Sequence, residues 1–432
     1  MRVPSASARR PKAWLWLAIV VAAALLTLGG ILWTSDQKAE RTLARHAAEL
    51  REKIERIRAR PTARPVLRGD PVPGDGFPAL QAAIQAVVAL SAEEKVDLGA
   101  VSSGEGSAEA FRRLGTRLPG YESLVAGIRD ALRFEEVVPP YALEEQPFMT
   151  VEVEGWVDTF HLLSALARQS HREGRDREAL DLVDTQLLLS ADLSRGAPLI
   201  PALISGAGEV MAAEAGREVL ASHGLRATEL DGFVRFLDRL ETIRPALGEA
   251  LEAEDVSLRL LFLRNPPLDL DIPLDLLGGR IPWWKRVGGA RRIRAEAVER
   301  LARAFRELQG RPQDWERVIE EETGRGNPFV DQLLPAEARG VGNHRQILVW
   351  RAMLRAAVGL AAFEAERGAW PATFEEAGLA RPRCPISNRP LGLGPGKLWS
   401  PGRDGDDDGG RPTPDDDLSD TDGDFVWTIK RR

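Results

Sequence analysis

The chain has 432 residues, 44% of them hydrophobic, and a formal net charge of −7. That length and apolar content suit roughly two or three domains with sizeable cores, and no bulk positive charge marks a nucleic-acid binder. A single cysteine, Cys384, excludes an intramolecular disulfide and a cysteine-based zinc cluster.

Arg2, Arg9, Arg10 and Lys12 make residues 1–12 a basic tail, and residues 13–33 follow as an uncharged apolar run with Trp14, Trp16 and Trp33 at its two ends. About 20 such residues cross a bilayer as a helix, interfacial indoles favour the headgroup region, and the preceding cations orient the tail to the cytoplasm. The spacing therefore predicts an uncleaved transmembrane anchor, with nearly all the remaining chain outside the cytoplasm. A cleaved signal peptide is the rival reading; against it, the run exceeds a typical signal-peptide core, and no lipobox cysteine follows.

Residues 34–60 are charged and helix-favouring, with Leu43, Leu50, Ile54 and Ile57 on one stripe. That stripe suits either a short coiled-coil stalk or a membrane-proximal helix packed on the body. Pro61, Pro65, Pro71, Pro73 and Pro78 make 61–78 a stiff linker and the first domain boundary.

Residues 79–344 carry mostly helical periodicity with Gly/Pro punctuation, which predicts an all-α body. Its clearest unit runs from Trp156 to Arg172, turns at Gly174 and continues from Asp176 to Leu193, with Ala179, Leu180, Val183 and Leu187 on one face. The unit looks like a tetratricopeptide-type helical hairpin, without the full thirty-four-residue signature, so a helical-repeat body stands beside an irregular bundle. His161, His171, His223 and His344 stand alone, and no metalloprotease, nucleophile-elbow, P-loop or dinucleotide motif appears. Glu252, Glu254 and Asp255 read as a solvated helix face. The stretch 281–294 sets Trp283 and Trp284 beside Lys285, Arg286, Arg291, Arg292 and Arg294; it suits an anionic membrane surface or, more simply, a core turn before a basic helix face.

Residues 345–432 read as an α+β module. A helix from about Gln346 buries Ile347, Trp350, Leu354, Ala357, Val358 and Ala361, and ends at Gly368 before Pro371. Thr373 and Glu376 form a capping-box pair. Lys397–Ser400 and Phe425–Ile429 read as strands around an acidic segment; ten aspartates lie between Leu398 and Trp427. From Asp404 the pattern is D-x-D-x-D-G-x5-D, with Asp406, Asp408, the Gly409 turn and Asp415 closing a twelve-residue loop. Alternating oxygen ligands of this kind suit calcium, with a carbonyl at Gly410 completing the shell. The closing Asp and the nearby Pro412 and Pro414 depart from an EF-hand, so the expectation is a calcium-ordered loop without flanking helices. An acidic disordered tail is the other outcome for such composition.

The order of these features resembles the globular region of the major pseudopilin of type II secretion systems. Phe363, Gly368, Trp370 and Pro371 match an aromatic-x4-Gly-x-aromatic-Pro step, and Cys384 to Pro390 is similar to a Pro-rich turn, with cysteine in place of aspartate. Leu398 to Gly405, LWSPGRDG, matches the family's LYSxGxDG most closely. The resemblance covers about 346–427. It implies a small calcium-stabilised fold and an envelope or secretion-system setting at a bacterial inner membrane, with the body in the periplasm. The anchor lacks the family's processing signal, and a long helical body intervenes, which argues against assembly into a filament. The leading expectation is a non-enzymatic, single-pass envelope protein that binds protein partners and no nucleic acid. The alternatives are an extracytoplasmic enzyme with a carboxylate site and a calcium-dependent adhesin-like module similar to thrombospondin type 3 repeats. The adhesin reading is prompted by Asp420, Asp422 and Asp424 around Gly423.

Overall fold

The computed structural model describes residues 11–67, 69–141, 143, 153–222, 224–264, 290–311, 314–323, 328–401, 405–412 and 423–429. They are mainly helical, with five short strands.

Helix α1 (Pro11–Arg58) is 48 residues long. Most side chains of the expected span, 13–33, lie outside the described residues. Beyond it, Ala39, Leu50 and Ile54 are buried and Leu43 and Ile57 partly so, because their stripe lies on α9 (Leu247–Arg264) and α10 (Ala290–Gly310). The 34–60 segment is thus a helix seated on the body, continuous with the helix that precedes it.

Residues 61–76 run as a strap along the body. Ala63 bridges to Glu136, and β1 (Val72–Asp75) pairs in parallel with β2 (Phe134–Glu136). Arg64 is buried: its Nε donates to Asp192 Oδ1 at 2.6 Å and its Nη2 to the other carboxylate oxygen and to the Leu132 carbonyl. Burial pushes the Asp192 carboxyl up, and Arg64 opposes that shift.

Helices α2 (Phe77–Val88), α3 (Ala92–Ser102) and α4 (Ala108–Ala131) follow. Asp75 accepts from the Phe77 amide at the start of α2; Ser91 with Glu94 forms a capping box on α3, and Ser107 caps α4. The expected hairpin is present as α5 (Val153–Arg172) and α6 (Asp176–Ser194), turning where Gly174 adopts φ +74°. Helix α6 is buried almost all round, enclosed by α5, by α7 (Leu199–Leu220) and, more lightly, by α8 (Ala227–Glu241).

After α11 (Trp315–Glu322), helix α12 (Pro328–Arg367) runs 40 residues through the boundary expected near 345. Its first half packs with α9, α10 and α11 in one core; its second half lies on α7 and α8 in the main core. Gly206 on α7 permits this approach, since a Cβ there would meet Ile347 Cδ1 at 2.1 Å. The part Leu333–Arg367 is long and apolar enough to cross a membrane, yet 67% of its apolar window is buried in the protein. The expected face of Ile347, Trp350, Leu354, Ala357, Val358 and Ala361 is buried, and Gly368 ends the helix at φ +75°.

The Thr373–Glu376 hydrogen bond forms, though the chain there makes turns and no helix. An antiparallel sheet follows in the order β3 (Gly392–Gly394), β4 (Lys397–Ser400), β5 (Phe425–Thr428), with Leu398 opposite Trp427. Leu398, Trp427 and Cys384 are buried in the same core as α5 to α8, so the sheet and the helical body share one apolar interior.

Candidate functional site

Of the expected calcium ligands, Asp406, Asp408 and Gly410 are described, while Asp404 and Asp415 lie outside the described residues. The described part of the loop meets Asp424, the residue before β5. Gly410 N donates to Asp424 Oδ2 at 2.7 Å, and Asp424 N donates to the Arg411 carbonyl. Asp407 Oδ1, absent from the spacing argument, accepts from Trp399 Nε1 and from Gly409 N. Gly405, Gly409 and Gly410 all have positive φ, so the backbone turns as only glycine allows without strain. Asp424 is 1% exposed and, among the described residues, its Oδ1 has no hydrogen-bond partner. Its burial, with Asp407 and Asp408 adding like charge, pushes its carboxyl above the usual range. A buried acceptor without a donor, beside like charges, is where a cation would lower the energy. Among the described residues alone, however, no three acidic, histidine or cysteine side chains are placed to hold a metal. The outer pair, Asp404 and Asp415, would have to contribute.

A second feature lies between α7, α8 and α12: a cleft of about 600 Å³. Leu187, Ala213, Leu237, Leu348, Trp350 and Leu354 supply its apolar wall. On its floor, Glu209 of α7 is 3% exposed and accepts from Arg351 of α12 through two bonds of 2.6 and 2.8 Å; Arg244, just beyond α8, reaches it at 3.0 Å. Burial raises the Glu209 carboxyl, but the two guanidiniums outweigh that and hold it below the ordinary range. His344, two turns before Arg351, is held neutral: burial and the Arg351 charge lower it to about 4. Asp238 with Arg355, and Glu241 with Arg244, form ion pairs at the rim. The sequence reading passed over this cluster. Its signal was an acid, Glu209, in the small, apolar run of α7 and two arginines, Arg351 and Arg355, in the apolar run of α12.

The isolated histidines make structural bonds. His161 Nδ1 lies 2.5 Å from Ser102 Oγ, which also lies 2.9 Å from the Gly99 carbonyl, so the pair joins α5 to the end of α3. His171 and Ser222 both bond Asp176, tying the α5–α6 turn to the end of α7; with the aspartate in the middle, this is not a nucleophile–base order. His223 lies outside the described residues, as do residues 281–289 of the Trp/Arg stretch.

The acids of α9 correct the solvated-face reading. Glu254 and Asp255 are each 1% exposed because α9 lies against α1, α7 and α10. Asp255 accepts from Lys53 of α1 and from Arg259, and Arg259, wholly buried, also donates to Glu49 and His46 of α1. Burial raises Glu49, yet Arg259 and Lys53 bring it down to about 2; His46 is lowered by burial and by Arg259. Among the described residues Glu254 accepts only the Leu199 amide, and burial pushes it up to about 7. Comparison with protein-family models, characterised proteins and solved structures finds no match to this chain.

Proposed function

We propose that the chain is a single-pass, membrane-anchored extracytoplasmic binding protein without enzymatic activity, whose C-terminal sheet is stabilised by calcium. The observation that carries the reading is the continuity of α1. At 1.5 Å per residue its 48 residues extend about 72 Å. The half that follows the apolar run is fastened to the body through Arg259, Asp255, Lys53 and Glu49. A helix so held transmits the position of a membrane span rigidly to the body, which suits a protein that presents a surface at a fixed height above a bilayer. Trp33, 67% exposed on α1, stands where the expected span ends.

The cleft favours binding over carboxylate catalysis. Each acid lining it has an arginine partner, and Glu209 is held ionised, so no lining carboxyl is poised as a proton donor near neutrality. Calcium fits the orphaned Asp424 oxygen; Asp404, Asp406, Asp408 and Asp415 with the Gly410 carbonyl would supply the rest of an oxygen shell. The resemblance to the pseudopilin family supports an envelope or secretion-system partner. Protease added to spheroplasts should digest the body while the tail before the span stays protected. Protection of the body until lysis would reverse the topology, and recovery of the chain in the soluble fraction would remove the anchor.

A further inference from the structure

We propose that the end of the body nearest the expected span, formed by α1 just after Trp33 and by the first turn of α10, is a docking surface for anionic phospholipid headgroups. The inference rests on the anchor reading and adds to it the lipid chemistry that the protein selects. Two helices bring the charges to one height. At 1.5 Å per residue, Lys38 and Arg41 stand about 8 and 12 Å beyond Trp33 along α1, within the headgroup layer and one screening length of it. Arg291 of α10 meets Asp36 at 2.8 Å and Glu40 at 3.7 Å, so the start of α10 stands at the same height although 255 residues separate Arg291 from Asp36.

The charges at that end do not balance. Residues 34–41 and 290–295 hold five cations, Lys38, Arg41, Arg291, Arg292 and Arg294, against two acids, Asp36 and Glu40. Both acids face Arg291, and among the described residues the exposed Lys38, Arg41 and Arg292 have no ion-pair partner. Further from the span the pattern changes, and Arg45 meets Glu299 at 3.4 Å.

Helix α10 makes this excess unfavourable by itself. The positive end of a helix dipole favours acids in the first turn, yet α10 has none there and carries Arg291 and Arg292 instead. Arg294 spends its donors on the Phe262 and Leu263 carbonyls at the end of α9, and burial together with the Arg291 charge lowers it from its ordinary value. Like charges gathered at the positive end of a helix are relieved by anions. A sheet of headgroups offers many anions at one height, which suits cations spread around two helices better than a single ion does.

The test is native mass spectrometry of the full chain, reconstituted into mixed vesicles of phosphatidylcholine and phosphatidylglycerol and released in mild detergent. Bound phosphatidylglycerol should exceed its share of the vesicle by about fivefold or more, since each cation near a lipid surface contributes about that factor, and raised salt should release it. Arg41→Gln with Arg292→Gln should return the bound lipid towards the vesicle's own ratio, while Lys397→Gln, an exposed cation on β4, should change nothing. Should the double variant fail to fold, release from the parent by salt decides the question. Lipid bound at the vesicle's own ratio, enrichment that survives the folded double variant or raised salt, or equal loss in Lys397→Gln would overturn the assignment. Inorganic phosphate added to pure phosphatidylcholine vesicles should leave no adduct; an adduct that the double variant loses would make this a free-anion site instead. A chain that never enters phosphatidylcholine vesicles would remove the anchor and this surface together, whereas entry without lipid preference removes the surface alone.

Discussion

At the scale of single residues, two buried titratable groups pull stability in opposite directions with pH. His344 has an ordinary value of 6.5 and is lowered to about 4 in the fold. The unfolded chain takes up the proton first, so its stabilising effect is complete above 6.5 and is lost as pH falls to about 4. Glu254 is raised from 4.5 to about 7, so its effect is complete below 4.5 and is lost as pH rises to about 7. Each shift corresponds to on the order of 3 kcal/mol, and across the window they share, from 4.5 to 6.5, they offset each other. Denaturant midpoints measured between pH 4 and 7.5 should separate them. His344→Gln should show stability falling more steeply than the parent as pH rises, and Glu254→Gln should show it falling more steeply as pH drops. Parallel curves for parent and variants would mean that neither group is perturbed.

Beside the apolar cores, buried ion pairs join several elements. The strap 61–76 is held by Arg64 on Asp192, and α1 is held to α9 by Arg259. Buried pairs of this kind add little net stability over apolar replacements, but removing one partner strands the other, at a cost of about 3–5 kcal/mol. Arg259→Ala should therefore leave Lys53 as the remaining cation on Asp255 and Glu49 and loosen the seat of α1. Amide hydrogen exchange should quicken over residues 39–58 and in α9, while α5 and α6 stay protected. Uniform quickening across all helices would mean that the network holds up the whole fold and not the α1 seat. In the sheet, Gly392 faces the Trp399 ring so closely that a Cβ would lie 1.9 Å from the indole. This contact explains the glycine in an otherwise regular strand pair.

For the whole molecule, the decisive fact is that the C-terminal sheet and the helical body share one core. A fragment of residues 346–432 would expose Trp350, Met353, Leu354 and Ala357, which are buried in the intact chain. Such a fragment should be aggregated or unfolded by circular dichroism, whereas a cooperative melt would make it an autonomous domain. The proposed calcium belongs to the same scale, because a cation at the acidic loop would act on β5 through Asp424 and from there on Trp350. At about 100 times its dissociation constant, calcium should stabilise the intact chain by ~2.7 kcal/mol. Magnesium should substitute poorly, since it resists dehydration and demands a tighter octahedron. Asp404→Ala with Asp408→Ala should abolish the gain. Equal melting temperatures in calcium and chelator would remove the ion from the account.

Much of the secondary structure was legible in sequence because it rests on short-range rules. The α5–α6 hairpin with its Gly174 turn, the buried face of α12, its stop at Gly368 and strands β4 and β5 all follow from apolar period and local punctuation. Of the acidic loop, the turn at Gly409 was readable, while the ligands Asp404 and Asp415 rest on spacing alone. The cleft was not legible. Glu209, Arg244 and Arg351 come from three separate stretches of the chain, and no short-range rule says that they meet. The same holds for Arg64 with Asp192, 128 residues apart, and Arg259 with Glu49, 210 apart. It also holds for Glu254 and Asp255, whose burial depends on helices packed against α9 from elsewhere in the chain. By itself the sequence determined most of the helices and strands β4 and β5, since periodicity and capping act within a few residues, but not β1, β2 or β3. Only the tertiary structure decided which charges are buried and which meet, because desolvation and ion pairing depend on neighbours that the chain brings together by folding.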